Sequence, residues 1–197
     1  MTTGSVIRAK RLMNGDCIGV ISPSWCGPAQ FPHRFERGVK CLHELGYDVK
    51  TAKHALGQYG TYLAATPQER ASDLMDMFLD DKVKAIIATI GGNHSCQLLP
   101  YLDFDVIRNH LKIFVGFSDI TVLHLALWTQ AGLVTFYGPT VMTEFADYPE
   151  MHPYTRDSFL RAVSGVSPMG QLSCSDTWTD EFLDWSEKLD LTRPRQL

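Results

Sequence analysis

Lys112-Ile113-Phe114-Val115-Gly116-Phe117-Ser118-Asp119-Ile120-Thr121 is the stretch on which the fold of this chain turns. An apolar strand pattern over Ile113-Phe114-Val115 runs into it, and Ile120 to Gln130 leaves it at helical spacing, stopped at Gly132. A turn of this kind lifts a serine out of the sheet and exposes its hydroxyl. The amide of the next residue then lies at a helix N-terminus, where it can stabilise an oxyanion. That is the logic of a nucleophile elbow, although Ile120 stands where the G-x-S-x-G form carries its second glycine. The same residues also suit a plain structural role, with Ser118 or Asp119 capping the helix.

Outward from this turn, strand and helix patterns alternate. Cys17-Ile18-Gly19-Val20-Ile21 is a short apolar run closed by Ser22-Pro23-Ser24. Phe35, Val39, Leu42 and Leu45 mark a helix over Phe31 to Leu45, with Gly46 as its C-cap and a second strand over Tyr47 to Thr51. Thr66-Pro67-Gln68-Glu69 is a helix start with a capping box, followed by the apolar positions Ala71, Leu74, Met75 and Phe78. Val83 to Ile90 reads as a strand buried on both faces, Gly91-Gly92-Asn93 ends it, and a helix from near Ser95 carries Leu98 and Leu99. Leu133 to Tyr137 reads as a fifth strand, and a last helix falls near Tyr154 to Val163. This alternation predicts an α/β fold, a mostly parallel sheet flanked by helices of flavodoxin-like or Rossmann-like type. Ligands of such sheets bind beyond the carboxyl ends of the strands. The loops at 22–24, 91–95 and 116–119 are therefore the place to look. Residues 1–165 read as one domain. Residues 166–197, rich in Ser and Gly at first and without periodicity, read as a linker towards a further domain.

Composition narrows the function. The chain has 197 residues, 45% of them hydrophobic and 20% charged, which is ordinary globular composition. Its net charge is -4 and no Lys/Arg cluster occurs, which argues against a nucleic-acid partner. No apolar run approaches the roughly 20 residues of a membrane-spanning helix. Arg8, Lys10 and Arg11 precede the first apolar run, but Asp16 opens it and Pro23 ends it, unlike a signal peptide. Five scattered cysteines without a C-x-x-C pair suit free thiols in the cytoplasm and offer no metal-ligand spacing.

Other residues bear on chemistry. Gly91 and Gly92 let backbone amides approach a ligand closely and can supply a second oxyanion donor, or they form only a turn. A serine nucleophile needs a base. His124 lies six residues beyond Ser118, roughly 9 Å along a helix axis, too far to reach the hydroxyl, and reads as a helix or core histidine. His94 is on the right loop but suits structure or substrate contact better than base. His33, His43, His54, His110 and His152 carry no supporting motif. Trp178 and Trp185, in a polar and acidic setting, either stack on a planar ligand or anchor the tail.

Gly15-Asp16-Cys17-Ile18-Gly19-Val20-Ile21-Ser22-Pro23-Ser24, Gly91-Gly92-Asn93 with Leu98-Leu99, and Lys112 to Thr121, in this order, resemble the LD-carboxypeptidase family of serine peptidases. Thr179-Asp180-Glu181-Phe182-Leu183-Asp184-Trp185 resembles its microcin C self-immunity branch in particular. The resemblance implies a metal-free, cofactor-free hydrolase with a Ser-His-Glu triad. In it Ser118 matches the nucleophile, and the amides of Gly92 and Asp119 match the oxyanion hole. Gly91, Asn93 and Trp178 or Trp185 fall on substrate-binding positions. It implies cleavage of a terminal amide through an acyl-enzyme and a homodimeric assembly. The substrate is a small peptide or peptidyl-nucleotide antibiotic, which would confer antibiotic resistance, or alternatively a peptidoglycan tetrapeptide. The family's His and Glu lie in a C-terminal domain and match no position here. A non-catalytic peptide- or nucleotide-binding half-domain is the other reading. An amidotransferase-like domain lacks the cysteine elbow that it would require.

Overall fold

The computed structural model describes residues 6–197. Strand β1 (Cys17–Ile21) leads through a loop into a short helix α1 (Gly27–Gln30) and then α2 (Pro32–Glu44). β2 (Asp48–Thr51), α3 (Pro67–Leu79), β3 (Val83–Ala88), α4 (Phe104–Asn109), β4 (Ile113–Gly116), α5 (Thr121–Ala131), β5 (Phe136–Tyr137) and α6 (Pro153–Ser164) follow. The five strands form one parallel sheet in the order β2-β1-β3-β4-β5. That is the flavodoxin-like order, in which chain direction across the sheet reverses between β1 and β3. The loops leaving these two strands lie at that switch point, where ligands of such sheets bind.

The sheet is sandwiched because each central strand is apolar on both faces. Ile86 and Phe114 join Leu74, Phe78, Leu123 and Leu127 on one side. Ile87 and Val115, one residue along, join Phe35, Leu42, Phe145 and Phe159 on the other. Successive residues of a strand point to opposite faces, so both layers are read from the same short runs. The expected capping box of α3 forms: the Thr66 side chain accepts from the Glu69 amide, and the Glu69 carboxylate accepts from the Thr66 amide. Gly132 ends α5 in the left-handed region at φ 69°, where a side chain would be strained.

Three expectations are revised. The helix expected from Ser95 is a 3₁₀ helix over Ser95–Tyr101. Pro100 lies inside it and has no N–H for an α-helical bond. The strand expected over Leu133 to Tyr137 shrinks to Phe136–Tyr137, because Leu133 pairs instead with Ile7. Helix α4 was not expected; Asp103 caps it by accepting from the amides of Asp105 and Val106. Beyond Ser164 the chain is irregular except for a 3₁₀ turn at Leu189–Leu191. It nevertheless packs on the body, with Leu183 and Asp190 buried. Among the described residues no helix is long and apolar enough to cross a membrane, and all five cysteines are free thiols.

Candidate active site

The turn after β4 is strained at one residue. Phe117 is extended, and then Ser118 enters the left-handed region at φ 62° before a 3₁₀ turn feeds α5. A non-glycine residue held there costs about 1–3 kcal/mol and persists only where its surroundings fix it. Here the Ser118 carbonyl accepts from Thr121 Oγ1 at 2.5 Å, and the Ser118 amide donates to the Tyr137 hydroxyl at 3.4 Å. The Ser118 side chain is exposed. Neither Ser118 nor Asp119 caps the helix that follows the turn: the 3₁₀ turn begins from Phe117 and α5 from Ile120, without side-chain caps. The capping reading of this turn is thereby set aside.

The loop after β3 presses against this turn. A Cβ on Gly91 would lie 3.0 Å from Ser118 Cβ and 3.2 Å from its Oγ, so the loop approaches the serine this closely because position 91 has no side chain. Gly92 adopts φ 149°, and a Cβ there would collide with Ser24 Oγ and sit 2.8 Å from Ser24 Cβ. Only glycine fits both the torsion and the space. The fully buried Ser24 hydroxyl accepts from the amides of Asn93 (3.1 Å) and His94 (3.0 Å), which ties the loop after β1 to the loop after β3. Asp119 reaches across as well. Its Oδ2 accepts from the amides of His94 and Ser95, each at 2.9 Å, and from Ser95 Oγ at 2.7 Å. Ser118, Asp119, Gly91, Gly92 and Asn93 are thus brought into one place at the strand ends.

The histidines are elsewhere engaged. His124 is buried and its Nε2 lies 2.8 Å from the Gly116 carbonyl. Burial lowers its pKa, more than the Gly116 hydrogen bond raises it, so the ring is neutral and Nε2–H donates. It is the core histidine expected from sequence. His94 packs on Tyr62 with ring centroids 5.5 Å apart. His33 meets Asp190, His54 meets Asp73, and His43, His110 and His152 bond to Tyr47, Val106 and Thr177. Among the described residues no histidine bonds to Ser118.

The two tail tryptophans part company. Trp185 lies over the Arg34 guanidinium at 4.6 Å and packs edge-on against Phe31 at 5.6 Å. It lines a cavity of about 320 Å³ with Phe182, Glu181 and Arg193. Trp178 is highly exposed, beside His152 and Tyr154 in a separate cavity of about 380 Å³. Neither cavity is lined by Ser118. An aromatic row nevertheless joins the two regions, from Trp185 through Phe31, Trp25 and Tyr62 to His94. Sequence reading missed Arg34, Asp190, Tyr137 and Arg70. For Arg70 a signal existed: it is spaced with Leu74 and Met77 on the buried face of α3.

The family model described as the LD-carboxypeptidase N-terminal domain matches residues 18–138. This chain belongs to the LD-carboxypeptidase family. It is 37% identical over 180 residues to a putative carboxypeptidase of Vibrio cholerae, covering 91% of this chain and 54% of the relative. It is 33% identical over 190 residues to the microcin C7 self-immunity protein of Escherichia coli, covering 96% of this chain and 55% of the relative. A solved structure of the microcin C7 self-immunity protein in complex with aspartyl sulfamoyl adenosine superposes with a TM-score of 0.88 at 33% identity, over 96% of this chain and 56% of that one. The muramoyltetrapeptide carboxypeptidase of Oxalobacter formigenes gives 0.66 at 29% identity, over 74% and 47%. The LD-carboxypeptidase chain therefore spans about half the length of the curated relatives that it matches.

Proposed function

We propose that this LD-carboxypeptidase chain carries the nucleophile half of a serine carboxypeptidase or amidase site. The observation that carries the reading is Ser118: strained at φ 62°, exposed, and beside Gly91, where a side chain would crowd it. Ser118 Oγ attacks the carbonyl carbon of a terminal amide while a base takes its proton. The oxyanion is received by the amides of Gly92 and Asp119, and among the described residues the Gly92 amide donates to no other group. The C–N bond breaks, the leaving nitrogen gains the proton, and water hydrolyses the resulting acyl ester. The base and its carboxylate partner come from a C-terminal domain beyond residues 166–197, the linker after the domain at 1–165. Gly91, Asn93, Trp178 and Trp185 contact substrate, and the protein works as a cytoplasmic homodimer.

A peptidyl-nucleotide substrate is favoured over cell-wall tetrapeptide by the tail. The self-immunity structures superpose over 96% of this chain, tail included, whereas the muramoyltetrapeptide carboxypeptidase covers 74%. The test has two parts. Intact mass after treatment with a fluorophosphonate compares the protein, carried to the length of its relatives, with its Ser118→Ala variant. Labelling that the substitution abolishes is expected; labelling that survives it sinks the nucleophile assignment. Hydrolysis of aspartyl sulfamoyl adenosine and of an L,D-tetrapeptide is then followed side by side, and cleavage of the tetrapeptide alone overturns the substrate preference.

A further inference from the structure

Two charged side chains at the strand ends have no part in the steps above. Arg70 on α3 is 1% exposed. Its guanidinium donates to Ala65 O at 3.0 Å, to Pro23 O, to His94 O at 3.3 Å and to Gln97 Oε1 at 2.6 Å. Pro23 belongs to the loop after β1, while His94 and Gln97 follow β3. From the turn after β4, the Asp119 carboxylate accepts from the His94 and Ser95 amides and the Ser95 hydroxyl. The peptide unit between His94 and Ser95 is therefore gripped at both ends, its carbonyl by Arg70 and its N–H by Asp119. Ser24 holds the preceding peptide units from the β1 side. All three strand-end loops are locked together by one cation, one carboxylate and one hydroxyl.

Burying a guanidinium is costly: it has to be matched by several well-placed acceptors, and removing those leaves an unpaired charge. An apolar residue at position 70 would fill the same face of α3 without that cost, so packing alone does not account for the arginine. What the network fixes is geometry. Gly92 precedes the gripped segment by two residues, and Asp119 supplies both the grip and the second proposed oxyanion donor. A shift of the 91–95 loop would carry the Gly92 amide away from the Asp119 amide, and small displacements of such donors cost large factors in rate.

We infer that Arg70 and the Asp119 carboxylate are positioning residues that hold the Gly92 and Asp119 amides in register beside Ser118. The inference rests on the proposed nucleophile and oxyanion donors and adds to them the means of their alignment. Its test uses the protein carried to the length of its relatives, with a fluorophosphonate as the probe, because labelling requires no knowledge of the substrate. Asp119→Asn is nearly isosteric, keeps the backbone amide and removes the charge. It is expected to slow labelling about tenfold or more, short of the roughly hundred- to thousandfold cost of removing an oxyanion donor outright. With aspartyl sulfamoyl adenosine, kcat falls by the same factor while KM stays within about threefold, since the ground state does not use these donors. Arg70→Gln behaves likewise and Arg70→Lys recovers part of the loss. Should Arg70→Gln fail to fold, Asp119→Asn and Ser95→Ala carry the test. Labelling within twofold of wild type in the Asp119→Asn variant overturns the inference, and so does a rise in KM alone. Ser118→Ala separates the two proposals: loss of labelling there leaves the nucleophile in place whatever the Asp119 result, and persistence removes it.

Discussion

Asp190→Ala should release the tail while leaving the sheet intact. Asp190 is 2% exposed and accepts from Arg34 Nη1 at 3.1 Å, Arg37 Nη1 at 3.2 Å and His33 Nε2 at 3.3 Å. Removing one partner of a buried ionic cluster costs about 3–5 kcal/mol. The lower end applies here, because Arg34 keeps its bonds to the carbonyls of Met142 and Thr143. About 3 kcal/mol corresponds to a shift of more than a hundredfold in the docking equilibrium of residues 181–195. Trp185 stacks on the same Arg34, so it loses its fixed environment together with the tail. Hydrogen exchange resolves the effect: amides of the tail exchange faster, while those of β1, β3 and β4 keep their protection. Burial raises the Asp190 pKa, but Arg34 and His33 outweigh it and hold the carboxyl below its ordinary value. A depressed folded-state pKa gives stabilisation that is complete above the unfolded value of about 3.9 and lost as pH falls through the folded value. The contribution of the Asp190 carboxylate to docking is thus present at neutral pH and is lost as acid protonates it below the ordinary carboxylate range. Unchanged tail exchange in Asp190→Ala at pH 7, the Trp185 amide included, would refute the reasoning.

Two further outcomes follow from the same contacts. Gly92→Ala forces a side chain onto a left-handed backbone and into Ser24; fluorophosphonate labelling of Ser118 should drop at least tenfold, in the range for a displaced oxyanion donor, and a wild-type rate would show that Gly92 can be displaced without consequence. Thr66→Ala removes the capping box of α3 and should lower stability by about 1 kcal/mol, read from the urea midpoint at unchanged m-value; no shift would mean that solvent satisfies the Glu69 amide equally well.

How much was legible depends on the range of the interaction involved. The sheet was readable because β3 and β4 are continuous apolar runs and α3 carries its start signal in four consecutive residues. Where a local pattern competes with a distant partner, legibility fails. Leu133 has strand character, but its neighbour is Ile7, more than a hundred residues earlier. The leucines after Ser95 suggest an α-helix, yet Pro100 withholds a donor and a 3₁₀ helix results. In the candidate site, Ser118 and the two glycines can be singled out because strand-turn-helix order and glycine pairs are local. Asp119 can be singled out from sequence for its amide alone, since its carboxylate partners lie 24 and 25 residues away. Tail docking rests on a pair 156 residues apart, Arg34 with Asp190, which no local spacing encodes.

The strain at Ser118 and the rigidity around it are two sides of one arrangement. A serine held at φ 62° relaxes if the chain beside it can move. On one side β4 is fixed in the middle of the sheet, between β3 and β5. On the other, the Ser118 carbonyl is tied to Thr121 and the next residue's carboxylate is committed to His94 and Ser95. Gly91 closes the remaining space against the serine itself. None of these restraints involves the Ser118 hydroxyl, which makes no side-chain hydrogen bond among the described residues and stays exposed. A capping serine would have the opposite character, with a relaxed backbone and an engaged hydroxyl. The sheet, the glycine loop and Asp119 therefore fix the backbone of residue 118 while leaving its oxygen free, a distribution of constraint that suits the proposed nucleophile better than a capping serine.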